Sequence, residues 1–405
     1  MALTLERLQR LVRNDAALRR RRRLQPTEGP GAKIFPPTYP GETRNAPARH
    51  LFEYRRIGGQ DVLSVLIDSV QSQANRLEEA LREVRGNGVW FPTISVDFSG
   101  TEVGDIGRIT ALDAPHRVFD AIIRDSELDG VRFRDTEPGK KLLASKTSNA
   151  RALYELAHTA LVFGAWNSTG EGGGLGAKFP RAVVSEIVGI GVAQEPGPGE
   201  QGPRPSGRRP GSRIDPLGIR AGIRVYKLEG GEWSLERPKK GGKEVKPSEI
   251  NHSNIAPTIQ ELGVSVDYAL HSFVISAAAL RRLRFTDGDG AADEAARTAL
   301  AALALVAATA QDRAGYFLRS RCDLVPEPDS PEAFEVVKSN GTTETVTVDF
   351  ETAKVLLEQA ANAARDAGIP WNGEDLVLKP QSKLVELVKK SRELAFAGVE
   401  ETEGE

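Results

Sequence analysis

One cysteine, Cys322, stands among 405 residues. That excludes an intrachain disulfide framework and any cysteine-built zinc site. The histidines (His50, His116, His158, His252 and His271) are scattered, without HExxH or paired metal-ligand spacing. Long apolar runs are also missing. The longest, Thr298–Ala310, has 13 residues, against ~20 needed to span a bilayer, so it reads as a buried core helix. The first residues are charged and periodic, without an apolar run and cleavage site. The expectation is a soluble, cytoplasmic protein without membrane contact. Excess charge is lacking too: 54 Lys+Arg face 56 Asp+Glu, a net −2, which says nothing about nucleic acid.

The distribution of charge says more. Residues 1–26 carry eight Arg against Glu6 and Asp15, residues 194–250 carry twelve basic against eight acidic residues, and Val399–Glu405 holds four Glu. Leu3, Leu5, Leu8, Leu11, Val12 and Leu18 suggest an amphipathic helix ending in the run Arg19–Arg23, so 1–26 reads as a basic N-terminal arm. Residues 27–398 read as one core with insertions at about 86–150 and 194–262, and 399–405 as an acidic tail.

The richest stretch is 151–192, RALYELAHTALVFGAWNSTGEGGGLGAKFPRAVVSEIVGIGV. Gly170, Gly172, Gly173, Gly174 and Gly176 let backbone N–H groups approach an anion, since no Cβ intervenes. Lys178 and Arg181 follow, with Trp166 and Phe179 beside them. Cations, bare backbone and aromatic faces suit a single-stranded polynucleotide; composition alone favours a plain exposed loop. A Walker A loop fails because Ala177 follows Gly176 and Phe179 follows Lys178. A dinucleotide fingerprint on Gly172, Gly174 and Ala177 fails because a helix precedes the loop and a strand follows it, the reverse of the required order.

Elsewhere, Ser64–Val84 reads as a helix with Val65, Leu66, Val70, Ala74, Leu77 and Leu81 buried and Gln71, Gln73, Asn75 and Arg76 outward. The β-branched runs at 183–192 and 264–275 predict central strands, and 293–319 an Ala-rich helix packed with 64–84 on one sheet face. Glycines 230–231 between Arg224–Lys227 and Glu232–Glu236 predict a hairpin. Residues 194–222 read as mobile. A strand pair near Glu335–Asp349 and two helices close the chain. Asp287-Gly-Asp-Gly lacks the acids an EF-hand needs at Phe285 and Ala296. Asn167-Ser168-Thr169-Gly170 is not a nucleophile elbow, since Trp166 replaces its first Gly. The best acidic group, Asp97, Asp105, Asp113 and Asp120 with His116, offers a metal site for phosphodiester cleavage, but such acids are more often caps and turn formers.

The segments VLIDSVQSQANRLEEAL, LVFGAWNS, LGAKFPRAVVSEIVG, GSRIDPLG, INHSNIAP and DYALHSFVISAAAL, in this order from about Val62 to Leu280, resemble the backbone subunit of the type I-G (formerly I-U) CRISPR Cascade complex, in the RAMP superfamily. The resemblance implies an α+β fold with an RRM-like (ferredoxin-like) antiparallel sheet core, large insertions and a thumb-like β-hairpin. It implies a non-catalytic, crRNA-binding subunit that polymerises head to tail along the guide's spacer and supports pairing with target DNA. Further implied partners are the large subunit, the guide-end-capping and guide-processing subunits, and a recruited helicase-nuclease. No cofactor or metal is expected. The alternative is a metal-dependent RNA-cleaving RAMP subunit using the acids of 97–120. By the same resemblance Ser72, Asn75 and Arg76 face the guide backbone, and Lys178 and Arg181 contact phosphates. Trp166, Asn167 and Ser168 line the same groove; Asn251, His252 and Asn254 lie on or near the thumb. The segment 194–213 departs from the family pattern, which leaves 90–145 as a rival thumb. Lys178 and Arg181, fixed beside a strand, are expected to matter more than a flexible Arg19–Arg23 arm.

Overall fold

The computed structural model describes residues 1–41, 43, 46–167, 177–197, 202–228, 232–239, 241–371 and 374–396. Ser168, the glycine loop and the acidic tail lie outside these. Helix α1 (Leu5–Asn14) starts at Thr4, whose Oγ1 accepts a hydrogen bond from Arg7 N at 3.3 Å. Strand β1 follows at Ala17–Pro26. The hairpin β2 (Phe52–Ile57) and β3 (Gln60–Asp68) leads into helix α2 (Val70–Val84). Strands β4 (Val183–Ile190) and β5 (Tyr268–Ser276) precede helix α3 (Gly290–Ala314). The short strands β6 (Tyr316–Arg319), β7 (Cys322–Pro326), β8 (Phe334–Val337) and β9 (Thr343–Val346) precede helix α4 (Phe350–Asp366).

These strands form one sheet in the order β6-β7-β1-β5-β4-β3-β2, with β8 paired to β1 and β9 to β8. Every pairing in it is antiparallel. In chain order β1, α2, β4, β5, α3 and β7 make strand–helix–strand–strand–helix–strand, and their spatial order is β7-β1-β5-β4. Helices and an antiparallel sheet packed as layers make the fold α+β.

The predicted central strands are present, and α2 and α3 share the inner face. There Phe273, Ile275, Val183 and Leu18 join the helices in one core. Helix α3 is buried along nearly its whole length, which its alanines permit by letting neighbouring helices approach. Both helices are shorter than their spacing suggests. Residues 64–68 belong to β3, because an apolar run buried on both faces reads equally as strand; the helix begins after Ser69, whose Oγ accepts from Ser72 N at 3.2 Å. Helix α3 stops at Gly315, φ +86°, and 316–319 pair as β6.

The basic arm does not exist as such: the five arginines lie in β1, between β5 and β7. Alternation sends Leu18, Arg20, Arg22 and Leu24 inward and Arg19, Arg21 and Arg23 outward. Buried Arg20 meets Asp312 at 2.5 and 2.8 Å and lies 4.6 Å over the Phe334 ring; Arg22 reaches Asp312 at 3.3 Å.

Two excursions leave the sheet. Residues 86–150 carry Ile94–Asp97, Arg108–Thr110, Ser126–Leu128 and Val131–Arg132, completed by the distant strand Leu376–Pro380, which runs parallel to 94–97. The second joins neighbours β4 and β5. It holds the ribbon Arg209–Arg213/Ile255–Gln260 and the predicted pairing of Val225–Lys227 with Trp233–Ser234, backed by Lys243–Val245. Part of the segment read as mobile is thus paired strand.

A polar seam runs beneath the sheet. Ser185 Oγ donates to Gln73 Oε1 at 2.8 Å and lies 2.9 Å from His271 Nε2; Tyr316 Oη lies 3.2 Å from His271 Nδ1 and donates to Asp312 at 2.6 Å. Burial holds His271 and His158 neutral, each lowered to about 3, and lowers His50. Unfolding therefore takes up protons once pH drops below ~6.5, and stability falls with pH at about 1.4 kcal/mol per unit per net proton. Glu78, raised to about 7, opposes this between its unfolded value and 7 but is outnumbered. Urea midpoints at pH 7.5, 6 and 5 should decline, and His158→Phe should flatten the decline; equal midpoints would contradict it.

Candidate nucleic-acid interface

Three elements meet near the start of β4: α2, the 86–150 excursion and the edge formed by Ala165–Trp166 and Lys178–Phe179. Phe179 is buried and anchors the edge, while Trp166 is 52% exposed and Lys178 is exposed. The Lys178 Nζ stands 5.4 Å from the Trp166 ring centroid, a cation over an aromatic face. Asn167, next along, is buried, and its backbone N–H donates to Ala177 O at 3.0 Å.

The edge stops at Phe179, so Lys178 and Arg181 do not line one side of a continuous strand. Pro180 lacks the N–H to extend the ladder. Arg181 is half-buried instead, its Cγ packed where Gly164 (φ +83°) leaves room; a Cβ there would sit 2.9 Å from that atom. Its Nε is buried without a hydrogen-bond partner among the described residues. Burial, with Arg117 nearby, lowers its pKa.

Behind Arg181 lies a pair that the spacing argument misses. Glu78 of α2 and Arg117 of the excursion are both buried and joined by two 2.7 Å hydrogen bonds; Arg117 also donates to Gly164 O at 3.1 Å. Burial pushes the Glu78 carboxyl up to about 7 against the pull of Arg117. Arg117 reaches this position from left-handed backbone, φ +53°. One buried carboxylate thus faces two guanidinium groups, leaving a local positive excess beside the edge. An acid next to Leu77, in the apolar stripe of α2, was the available signal.

The candidates on α2 divide. Ser72 Oγ donates to Asp68 at 2.7 Å, and Arg76 donates to Asp68 at 3.0 Å and to Leu318 O at 2.6 Å. Fully buried Asp68 also takes Gln73 at 2.7 Å. Ser72 and Arg76 are therefore tied into the fold, while Asn75 is exposed. Asn251, His252 and Asn254 lie on the β4–β5 excursion. Asn251 is left-handed (φ +60°), His252 packs edge-on to Trp233 with centroids 6.2 Å apart, and Asn254 Oδ1 accepts from Asp215 N at 2.7 Å.

The acids of 97–120 do not converge. Asp97 accepts from Ser99 N at 2.9 Å, Asp105 pairs with Arg392 at 2.8 Å, Asp113 takes Thr110 and Arg82, and Asp120 caps 121–124. Among the described residues no three His, Cys, Asp or Glu side chains stand ready to hold a metal. Cys322 is buried, its thiol pushed up to about 12 by burial. Among the described residues no helix is long and apolar enough to cross a membrane.

The class this architecture defines is an α+β protein. Residues 18–194, from β1 through β4 and including α2, Arg117 and the Trp166–Lys178 edge, match the family described as CRISPR-associated protein GSU0053. That similarity supports a CRISPR-associated protein. No curated protein matches the chain.

Proposed function

We propose that this protein is the non-catalytic, crRNA-binding backbone subunit of a type I-G CRISPR Cascade complex, a RAMP protein with an RRM-like core. The strand–helix–strand–strand–helix–strand order, with the last strand beside the first, supports the core. The observation that carries the function is the exposed Trp166 with Lys178 above its ring, beside the Glu78–Arg117–Arg181 excess and inside the matched segment. An aromatic face stacks any base and a cation neutralises any phosphate, which a scaffold accepting every spacer requires. Copies assemble head to tail, because a subunit repeated along a linear guide needs two different complementary surfaces. The large subunit, the guide-capping and guide-processing subunits and a helicase-nuclease are its partners, with target DNA reached through the guide. It works in the cytoplasm.

Titration of unrelated RNA sequences over a salt series tests this reading. Affinity should be equal for all of them and fall with salt at a log–log slope of roughly −0.7 per phosphate neutralised. Preference for one sequence, or affinity indifferent to salt, would contradict it.

A further inference from the structure

A cavity of about 390 Å³ opens between α4 and the turn that follows α2. Its floor is apolar: Val89, Leu357, Ala361 and Trp371 are all buried. Trp90, 41% exposed, forms one wall. That indole is fixed in place, with the Arg85 guanidinium 4.3 Å from its ring centroid and its backbone O accepting from Trp371 Nε1 at 3.0 Å. Helix α4 supplies the rim. Lys354, Glu358, Asn362 and Arg365 recur at helical intervals, so they share one face and follow one another along the axis. Lys354 Nζ donates to Glu351 at 3.1 Å and lies against the turn, where a Cβ on Gly88 (φ +81°) would come within 3.0 Å of it. The side chains of Glu358, Asn362 and Arg365 are exposed and carry no hydrogen bond or ion pair among the described residues.

We propose that this groove is a binding site for a free guanosine 5′-phosphate, separate from the RNA surface. The volume suits a ligand of nucleotide size, and the chemistry along α4 falls in the order base, sugar, phosphate. Trp90 offers a π-face for a base. Lys354 next to it is a donor only and keeps N–H groups beyond the one given to Glu351; guanine, with O6 and N7 acceptors side by side, suits it best. Glu358, one turn on, can accept from both ribose hydroxyls, as acids at nucleotide sites do. Asn362 and Arg365 then bring an amide N–H and a guanidinium fork to the phosphate. An extended peptide fits less well, because the helix wall spends its backbone N–H and C=O groups internally and offers none for main-chain pairing. A docked amphipathic helix needs an apolar stripe, whereas the exposed positions here are polar.

Isothermal titration calorimetry of the full chain with guanosine 5′-monophosphate tests the site. One saturable site per chain is expected, with the nucleotide bound more tightly than guanosine or its 2′-deoxy counterpart. Trp90→Ala should weaken binding ~5-fold or more, the low end of what a base–aromatic stack contributes. Arg365→Gln should bring the nucleotide down to the affinity of the nucleoside, and Glu358→Gln should erase the preference for ribose. Thermal unfolding should stay unchanged in both, since the side chains are exposed. Wild-type protein that does not bind the nucleotide overturns the proposal, as do selectivities that survive both substitutions. Displacement of the nucleotide by single-stranded RNA assigns the groove to polynucleotide and likewise overturns a free-ligand site. The groove shares no residue with the Trp166–Lys178 edge, so Trp90→Ala should leave oligouridine affinity intact, and failure of the RNA-binding reading leaves this site standing.

Discussion

Arg117→Ala should destabilise the fold by about 3–5 kcal/mol, the cost of leaving a buried charge without its partner. Glu78 is 2% exposed and takes both of its charged hydrogen bonds from Arg117. The third Arg117 bond, to Gly164 O, would go as well, loosening the turn that presents Trp166. Without Arg117 the Glu78 carboxyl rises further above 7, so acidifying the solution lets it bind a proton in the folded state. The gap between variant and wild type should therefore narrow as pH falls from 8 towards 5. Replacing both partners by Leu and Met should recover most of the loss, because an apolar pair of similar volume needs no compensation. Urea unfolding measures all three; a loss below about 1 kcal/mol for Arg117→Ala would mean that the pair is not the anchor its geometry indicates.

Trp166→Ala combined with Lys178→Ala should weaken RNA binding at least tenfold while leaving the unfolding midpoint nearly unchanged. Removing an aromatic under a base costs ~1–3 kcal/mol, and the lost cation removes one phosphate contact and its share of the salt slope. Both side chains are exposed, and substitutions at such sites usually stay within about 0.5 kcal/mol in stability. This pair is a cleaner test than Lys178 with Arg181, since Arg181 is half-buried and packed against Gly164. Filter binding or fluorescence anisotropy reads the effect. Unaltered affinity in the double variant would remove the edge from the interface.

The strands at 183–190 and 268–276 are legible from their β-branched residues, the first of them lying between Pro180 and Gly191. The pairing of Val225–Lys227 with Trp233–Ser234 is legible from the glycines that the sequence sets between them. The arginine run misleads for a physical reason: charge content points to solvent, whereas the strand period places every second arginine under the sheet, where Asp312 makes burial tolerable. Asp312 lies far away in sequence, so no local pattern announces it. The same limit hides the strand Leu376–Pro380 beside Ile94–Asp97 and the partnership of Arg117 with Glu78. Reading the acids of 97–120 as caps and turn formers matches what Asp120 and Asp113 do. Helical spacing points Gln73 and Arg76 of α2 outward, yet both turn to Asp68, an acid at the end of the preceding strand.

The central claim, that this protein is a scaffold built along a guide RNA, is tested most directly by what it carries when purified. The protein should be expressed with a CRISPR array and its processing subunit, purified at low salt, and the bound material resolved on a denaturing gel beside a sizing run. The account predicts RNA of discrete length, abolished by ribonuclease, and a ladder of assemblies that collapses with it. Protein that elutes free of nucleic acid as one species, or that shortens the RNA it carries, would contradict the account.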